Sequence, residues 1–394
     1  MTWIRRNLFR SVWDGILSVV FGTLAVYVLW ALFEFVFITG RWEIIEVNLL
    51  LLLVGRFPED QLWLVGTSIV ALAFWISAAS SGSPKSLDSQ PSLRARMLDS
   101  VQRFGLLSAL GVLLILLAGG ITPLYWGFAI IGGILGGLAL GKTRRSIAAL
   151  AKIPNPLWHT AIIAVPITFI ALTLSLSTLE SWGGFLINFY IAIISIVLSF
   201  PLGVLLALGR RSTLPIVRVL ATTYIELIRG APLFVLLLLA GVALEFFVPT
   251  ELAPGPIFRA VTVFTLFTAA YVAEIVRGGL QSVTKGQTEA GKALGLGTSK
   301  IIFLITLPQA LRNVIPAQIG QFISLFKDTT LAGAALSVLE VLNIGTAITK
   351  QDDFLGQGYI YESLAFVGLL FWVGSYVMSR ESQRLEKRLG VGQR

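Results

Sequence analysis

Residues 136–143 read GGLALGKT and satisfy the G-x-x-x-x-G-K-[ST] spacing of a loop that binds the phosphates of a nucleotide. That chemistry needs a strand before the glycines and a helix after them, because the helix N-terminus receives the phosphates. Here the motif ends an apolar run of membrane-helix length, and Arg144 and Arg145 follow Lys142. We interpret it as helix packing through small residues followed by a basic anchor. The chain itself is therefore not expected to bind ATP.

Residue types that enzymes use for acid–base or metal chemistry are scarce in this chain. It has no cysteine, which excludes disulfides, cysteine-ligated metals and cysteine nucleophiles. Its one histidine, His159, lies beside Trp158 at a predicted membrane edge and has no neighbour in sequence to share a metal. No Ser–Lys, paired-Asp or His-rich set falls within the apolar runs, which argues against a membrane-embedded enzyme. We predict no catalytic residue and no metal site.

Polar side chains within or beside the apolar runs are candidates for a different role, because polar groups at membrane depth are costly and tend to be functional. Glu226 and Arg229 are three residues apart on a predicted helix and can pair with each other, and Glu274 and Arg277 share that spacing. Such a pair either holds a helix end at the interface or contacts a substrate; for Glu274 we favour the structural role. The complete set of substrate-pathway candidates is Glu226, Arg229, Gly230, Pro232, Glu274, Gln318, Gln321, Lys327 and Asp328.

The elements that position these residues are membrane helices. Of 394 residues, 56% are hydrophobic and 13% are charged, whereas a soluble domain carries about 25% charged residues. Several runs of about 18 residues or more have almost no charge, which suffices to cross about 30 Å of hydrocarbon. We predict an all-α polytopic membrane protein with about ten transmembrane helices. The predicted spans are residues 15–39, 62–80, 104–120, 122–141, 157–177, 181–209, 216–248, 257–279, 308–327 and 361–380.

The basic residues indicate the orientation of the spans. The net charge is +9, but Lys and Arg cluster in alternate short loops, so we do not predict nucleic-acid binding. Loops 119–123, 178–182 and 249–256 are nearly free of Lys and Arg. Because cytoplasmic loops carry the excess of positive charge, ten spans with both termini in the cytoplasm fit every loop.

The chain divides near residue 180. Residues 1–180 are predicted to form an N-terminal extension of about five spans, with a flexible cytoplasmic loop at 81–103 that is rich in Ser and Pro. Residues 181–385 are predicted to form a second set of five spans, which carries the informative motifs.

Two stretches of the second half do not fit a simple span. The run 216–248 is too long, and we expect a helix at the cytoplasmic interface, a break at Gly230–Pro232 and then a crossing. Residues 331–347 are expected to form a short helix on the outer face, with a re-entrant segment as the alternative.

The loop at 286–308 joins two predicted spans on the cytoplasmic side. Glu289 is expected near the start of a short helix, where its charge complements the helix dipole. Small side chains at Ala290, Gly291 and Ala293 would let a partner approach this helix closely.

The end of the loop contains residues that redirect the chain. Gly295 and Gly297 permit the backbone to reverse its direction. Pro308 is expected to open the next membrane helix, at a position that tolerates proline.

These residues resemble the EAA loop of type I ABC importer permeases, whose pattern is Glu-Ala-Ala, three residues, Gly, nine residues and Ile-x-Leu-Pro. Gly291 is the single departure, since the family usually has Ala there, and it keeps the site small. The matching positions are Glu289, Ala290, Gly291, Gly295, Ile305, Leu307 and Pro308.

Two further stretches are similar to permeases for polar amino acids. Residues 224–233, YIELIRGAPL, resemble a segment with an Arg-Gly-Thr-Pro core, with Ala231 in place of Thr, and residues 325–333, LFKDTTLAG, resemble a Leu-Lys-Asp-Thr-Ser-Leu stretch. The resemblance covers about residues 181–385. The additional N-terminal helices look like those of the longer permeases of general or basic amino-acid uptake systems, which work as pairs of different permeases.

The resemblance implies a bacterial inner-membrane transport subunit that is not an enzyme. The loop helix would dock on a cytoplasmic ATPase dimer, which holds the ATP and Mg, so this chain needs no cofactor of its own. The implied partners also include a second, homologous permease chain and an extracytoplasmic amino-acid-binding protein. The alternative is an ion-coupled carrier without an ATPase, which would explain the spans but leave the loop without a role.

Overall fold

The computed structural model describes residue 9 and residues 11–81, 121–143, 168, 171, 182–249 and 253–389. The predictions that fall outside the described residues concern His159, the span 104–120, most of the span 157–177 and the flexible loop 81–103 beyond its first residue.

The described residues are almost entirely helical. In chain order the α-helices of six or more residues are α1 (Val12–Glu34), α2 (Glu43–Val54), α3 (Leu62–Ser81), α4 (Ile121–Thr143), α5 (Gly184–Arg210), α6 (Pro215–Gly230), α7 (Leu233–Leu238), α8 (Pro256–Ser282), α9 (Lys285–Ala293), α10 (Leu307–Asp328), α11 (Leu331–Leu336), α12 (Val341–Ile348) and α13 (Ile360–Leu389). Helix α1 continues as a π-helical turn, Phe35–Thr39, and α7 continues as another, Leu239–Ala243.

The all-α membrane fold is confirmed, although the count of ten spans is not. Within the described ranges, four helices are long and apolar enough to cross a membrane, or five if the bent pair α6 and α7 is one span. Helix α1 belongs to the first span, and its apolar residues are exposed on all sides. Such a helix suits a lipid environment, because a soluble surface helix needs a polar face.

The core of the C-terminal half is built around α5 and α8, which pack along each other. Helix α8 also packs on α10, and α10 packs on α13. Gly203 permits the close packing of α5 on α8, because a Cβ atom at this position would lie 2.4 Å from a side-chain carbon of Val272 on α8. The fully buried side chains of Ile187, Phe264 and Leu237 bring α5, α8 and α7 into one apolar cluster.

Helix α2 is a short element that the span-length criterion misses. It packs against α5, α12 and α13, so a segment of the N-terminal half lies within the C-terminal core. Gly55, directly after α2, comes so close to Gly183 that a Cβ atom at Gly55 would lie 2.4 Å from the Cα of Gly183. The division of the chain near residue 180 stays a prediction, and α2 crosses it.

Helix α4 contains the nucleotide-loop lookalike at 136–143. The motif lies in the last turns of this helix, so its glycines are part of a helix and do not form a loop before a helix N-terminus. A Cβ atom at Gly133 would lie 3.1 Å from Val70 of α3, and one at Gly136 would lie 3.4 Å from Phe74. Close helix packing is therefore confirmed at Gly136, whereas the predicted basic anchor at Arg144 and Arg145 lies outside the described residues.

The stretch 331–347 forms two short helices, α11 and α12, rather than the single helix that we predicted. Ser337 separates them in the left-handed conformation, with φ +55°. Both helices are packed into the protein: Ala332, Gly333 and Ile344 are buried.

Candidate coupling loop and translocation-pathway site

The coupling-loop candidate begins with α9, directly after α8 ends. Glu289 is the fifth residue of this nine-residue helix and is exposed. It therefore lies beyond the first turn, and the prediction that its charge complements the helix dipole was wrong. A dipole effect falls off within the first turn of a helix.

Helix α9 ends in a Schellman motif. Gly295 adopts φ +75°, its N–H donates to the carbonyl of Lys292, and the N–H of Leu296 donates to the carbonyl of Gly291. The role predicted for Gly295 in reversing the chain is confirmed, because a left-handed conformation favours glycine. Gly297 instead has φ −67° and serves as the N-cap residue of the next helical turn.

Gly291 faces its own chain. It is the buried residue of α9, and an added Cβ atom would lie 3.0 Å from a side-chain carbon of Ile301 and 3.2 Å from one of Ile305. The small size of Gly291 therefore allows α9 to pack on the following helix and does not thin the outer face of α9. That outer face keeps Glu289 and Leu294 exposed, the latter at 78%.

Pro308 is the second residue of α10, in its first turn as predicted, but α10 continues from a preceding helical run. The run starts with a short turn, Thr298–Ile301, and continues as a π-helical turn, Ile302–Thr306, directly before α10. Proline removes a backbone donor and crowds the carbonyl four residues earlier, and a π turn accommodates such a disruption.

Five charged residues form an ion network near the ends of α5, α6 and α8 that lie closest to the loop. We call this set of residues the loop-end ion network: Arg210, Glu226, Arg229, Glu274 and Arg277. It contains three arginines and two glutamates. Glu274 contacts all three arginines and is therefore the centre of the network.

The contacts within this network differ in strength. Arg277 donates two hydrogen bonds to the Glu274 carboxylate. Its Nε donates to Oε2 at 2.9 Å, and its Nη2 donates to Oε1. Arg210 donates to Glu226 at 2.7 Å and to Glu274 at 3.3 Å. Arg229 only approaches Glu274 at 3.7 Å, and its Nε has no hydrogen-bond partner among the described residues.

The predicted pair of Glu226 and Arg229 is therefore not formed. Both residues lie on α6, but Glu226 bonds Arg210 of α5 and Arg229 reaches Glu274 of α8, while its guanidinium lies 5.5 Å from the centre of the Tyr271 ring. The pair of Glu274 and Arg277 is formed as its spacing predicts. Neighbouring helices supplied competing partners to α6, which the spacing along one helix does not reveal.

The predicted break at Gly230–Pro232 is confirmed. Helix α6 ends at Gly230, Pro232 is the N-cap residue of α7, and the two helices are bent by 102°. Arg229 thus lies immediately before the bend.

The remaining pathway candidates lie on α10. Gln318 is buried, and both polar atoms of its side chain lack a hydrogen-bond partner among the described residues. Gln321 and Asp328 are partly buried, and Lys327 is exposed. Lys327 and Asp328 end the helix as predicted.

A second polar cluster lies at the other end of α5, and the sequence did not indicate it. Asn188 of α5 donates to Thr329 at 3.0 Å and to Glu340 at 3.3 Å, and accepts from the backbone of Val341 at 3.1 Å. Asn188, Thr329 and Glu340 are 0–1% exposed. We call these three residues the buried polar cluster.

Glu340 also caps helix α12. Its carboxylate accepts from the backbone amides of Leu342 at 2.9 Å and Asn343 at 2.7 Å. Burial raises the pKa of this carboxyl group, and the hydrogen bonds from the two amides and from Asn188 oppose that shift. Gly333 leaves room for the carboxylate, since a Cβ atom there would lie 2.5 Å from Oε1 of Glu340.

The structure thus adds Arg210, Asn188 and Glu340 to the residues selected from the sequence. Arg210 is one of the basic residues of the predicted cytoplasmic loops, and its place at the last residue of an apolar helix was the available indication. Asn188 and Glu340 are 152 positions apart, so no local pattern joins them.

Comparison with known proteins places the chain among transport subunits. Residues 199–391 match the family described as the inner membrane component of binding-protein-dependent transport systems. A glutamate/glutamine/aspartate/asparagine transport system permease of Rhodobacter capsulatus is 36% identical over 356 residues, which cover 88% of this chain and 78% of that protein. Similarity therefore extends well into the N-terminal half.

Other relatives match the C-terminal half. A probable glutamine ABC transporter permease of Bacillus subtilis is 35% identical and covers 52% of this chain and 92% of that protein. An inner membrane amino-acid ABC transporter permease of Escherichia coli is 41% identical. The matched region covers 54% of this chain and 57% of that protein. A crystal structure of an amino acid ABC transporter with histidines is similar at 25% identity, over 52% of this chain and 92% of that chain, with a TM-score of 0.47.

The family assignment agrees with the helical membrane fold and with the Glu289–Pro308 loop. Members of the family are transport subunits of the inner membrane and not enzymes, and a separate subunit carries the ATPase. The chain belongs to the permease subunits of type I ABC importers, the inner membrane components of binding-protein-dependent transport systems.

Proposed function

We propose that this chain conducts polar amino acids of the glutamate and glutamine group across the inner membrane, powered by an ATPase bound to its 286–308 loop. The single observation that supports this most is the extent of similarity to the Rhodobacter capsulatus permease, named for glutamate, glutamine, aspartate and asparagine. The similarity covers most of both chains, so the proposal does not depend on a shared core alone.

Helix α9 is the proposed contact with the ATPase. Its inner side is fixed by Gly291 against Ile301 and Ile305, while Glu289 and Leu294 remain exposed. An exposed leucine and an exposed carboxylate on this short segment suit a partner surface with an apolar part and a basic part. The direction of the chain after α9 depends on Gly295, whose φ is +75°.

The proposed partners follow from this placement. A cytoplasmic ATPase dimer with its ATP and Mg would bind α9, and both chain termini would then lie on the same side as the loop. An extracytoplasmic amino-acid-binding protein would deliver the substrate. A second permease chain, different from this one but homologous, would complete the pathway.

Within the pathway, Gln318 is the proposed polar contact for the substrate. A buried amide without a partner is costly, and more so in hydrocarbon, unless a ligand or another chain supplies hydrogen bonds. Gln321, Lys327 and Asp328 lie further along the same helix, where a donor and an acceptor would suit the two charged groups of an amino acid. The Gly230–Pro232 bend would let α6 and α7 move relative to each other.

Uptake into proteoliposomes tests the proposal. The chain, its ATPase, its second permease and its binding protein are reconstituted, and uptake of labelled glutamine and glutamate is measured. We expect uptake only with ATP inside the vesicles, where the ATPase subunit is bound. Uptake driven by an ion gradient without the ATPase would instead establish an ion-coupled carrier and overturn the proposal.

A further inference from the structure

The two glutamates of the loop-end ion network share an arrangement that their role as pathway candidates does not explain. Each has an arginine three residues ahead on its own helix: Arg229 follows Glu226 on α6, and Arg277 follows Glu274 on α8. Residues at this spacing are neighbours on a helix surface and can form an ion pair. Each glutamate therefore has one possible ion-pair partner on its own helix, and that partner stays within reach when the helix moves relative to its neighbours.

In the structure, only one of these two local pairs is formed. Glu274 holds Arg277, whereas Glu226 bonds Arg210 of α5 and Arg229 turns to Glu274. These contacts, together with that between Arg210 and Glu274, tie α6 and α8 to α5. The network is thus in the one arrangement that joins three helices.

A second set of ion pairs is available in which both glutamates still have an arginine partner. If α6 moves away from α5 and α8, Arg229 can turn back to Glu226 while Glu274 keeps Arg277. Arg210 loses Glu226 and keeps Glu274 of α8. It is the last residue of α5, where the helix dipole favours a positive charge.

The residue that must change partner is also the least firmly held. Arg229 lies 3.7 Å from Glu274, the longest ion pair of the network, and its Nε has no hydrogen-bond partner among the described residues. It lies one residue before Gly230 and hence at the 102° bend between α6 and α7. A rotation of α6 about the bend would move Arg229 relative to α8.

We propose that the loop-end ion network is an exchangeable clasp, in which Arg229 pairs with Glu274 when α5, α6 and α8 are together and with Glu226 when α6 separates from them. The proposal rests on the proposed function, since a permease that alternates its access must part helices at one end. The clasp lets the helices part while each carboxylate keeps an arginine partner. Two residues, Val283 and Thr284, join α8 to α9, so a pull on the coupling loop reaches Glu274 through the last turns of α8.

Spin labels measure the distance across the clasp, and the absence of native cysteine makes site-specific labelling possible. Labels are attached to Leu220→Cys on α6 and Gly278→Cys on α8, both at exposed positions. The doubly labelled chain is assembled into the full transporter in nanodiscs, and the distance is recorded without nucleotide and with ATP trapped by vanadate. We expect a distance shift between the two conditions.

Three variants separate the clasp from a merely structural network. Glu226→Gln removes both the contact with Arg210 in the joined state and the partner that Arg229 needs in the separated state. The distance shift should therefore be smaller than in the wild type, and uptake should fall up to about fivefold, the upper value for one partly exposed ion pair. Glu226→Asp keeps the negative charge and should restore part of the distance shift and part of the uptake. Arg210→Gln leaves both local pairs available and should move the distance toward the separated value before nucleotide is added.

The control is Arg218→Gln on the same helix, where the side chain is exposed and lies outside the network. It should leave the distances and uptake unchanged. The proposal is overturned if Glu226→Gln keeps the wild-type distance shift, or if Arg210→Gln leaves the nucleotide-free distance unchanged. Failure of the proposed function has a different signature, because the wild-type transporter itself would then show no ATP-dependent uptake.

Discussion

The two ends of helix α5 are held to their neighbours in different ways. At its start, Asn188 bonds Thr329 and Glu340 in a cluster that is 0–1% exposed, and Gly333 brings the backbone close to the Glu340 carboxylate. At its end, Arg210 contacts carboxylates through a long side chain that is 25% exposed. About 40 Å separates the two ends of this 27-residue helix.

The difference indicates which end of the helix can move. Short side chains in a dry, closely packed cluster have one good arrangement, and any opening would leave buried polar groups unpaired. Long charged side chains that are partly exposed lose little when they exchange partners, because each such ion pair contributes roughly 0–1 kcal/mol. We therefore expect the buried polar cluster to stay closed while the loop-end ion network rearranges.

The largest expected effect on stability is that of Glu340→Ala. The change leaves the amides of Leu342 and Asn343 and the side chain of Asn188 without their acceptor, and we expect a loss of about 3 kcal/mol. Thermal unfolding of the purified protein in detergent measures it, with Glu226→Gln at the other end as the matched removal of a carboxylate. Equal losses for the two variants would remove the distinction between the two ends.

Gly333→Ala tests the close packing of the same cluster without removing a polar group. The added methyl carbon would lie 2.5 Å from Oε1 of Glu340, and we expect a loss of about 1–3 kcal/mol as the cluster shifts. Gly320→Ala on α10 is the control, because an added Cβ atom there meets nothing within 4 Å. Unchanged unfolding of Gly333→Ala would show that the cluster is looser than its distances indicate.

Gly295→Val tests the loop end of the protein, where we expect a larger effect on uptake than on the free energy of unfolding. A β-branched residue at φ +75° costs about 1–2 kcal/mol locally and would unwind the end of α9. Uptake by the reconstituted transporter should fall, while the global unfolding temperature should change little. Gly286→Val, within α9 and without a positive φ, controls for the larger side chain.

Gln318→Met should have the smallest effect on stability, and that effect should be neutral or favourable within about 1 kcal/mol, because the amide has no partner to lose. The KM for uptake should rise if the amide contacts the substrate. Gln309→Met, on the same helix and exposed, serves as the control. An unchanged KM would remove Gln318 from the pathway.

Much of the helical framework could be predicted from apolar length alone. The spans predicted at 181–209 and 257–279 correspond to α5 (Gly184–Arg210) and α8 (Pro256–Ser282), and the break at Gly230–Pro232 lies where proline ends one helix and caps the next. Helix α2 was missed because its 12 residues are too few to span a bilayer. Its place within the core depends on contacts with helices far along the chain.

The candidate site was only partly predictable, for the same reason. Spacing along one helix correctly predicted the pair of Glu274 and Arg277. It also predicted a pair of Glu226 and Arg229, but these two residues bond partners on α5 and α8 instead. The motif identified Gly291 as a small residue but not the direction it faces. That direction is set by Ile301 and Ile305 of the following helix, which tertiary packing brings against α9.

The ratio of amino acid transported to ATP hydrolysed, measured for the wild type and for Glu289→Lys, tests most directly whether the loop couples the ATPase to transport. Glu46→Lys makes the same substitution at an exposed glutamate of α2, outside the loop, and serves as the control. We predict that Glu289→Lys loses most of its uptake per ATP hydrolysed while Glu46→Lys keeps the wild-type ratio. A wild-type ratio in Glu289→Lys would contradict the assignment of the 286–308 loop as the coupling element.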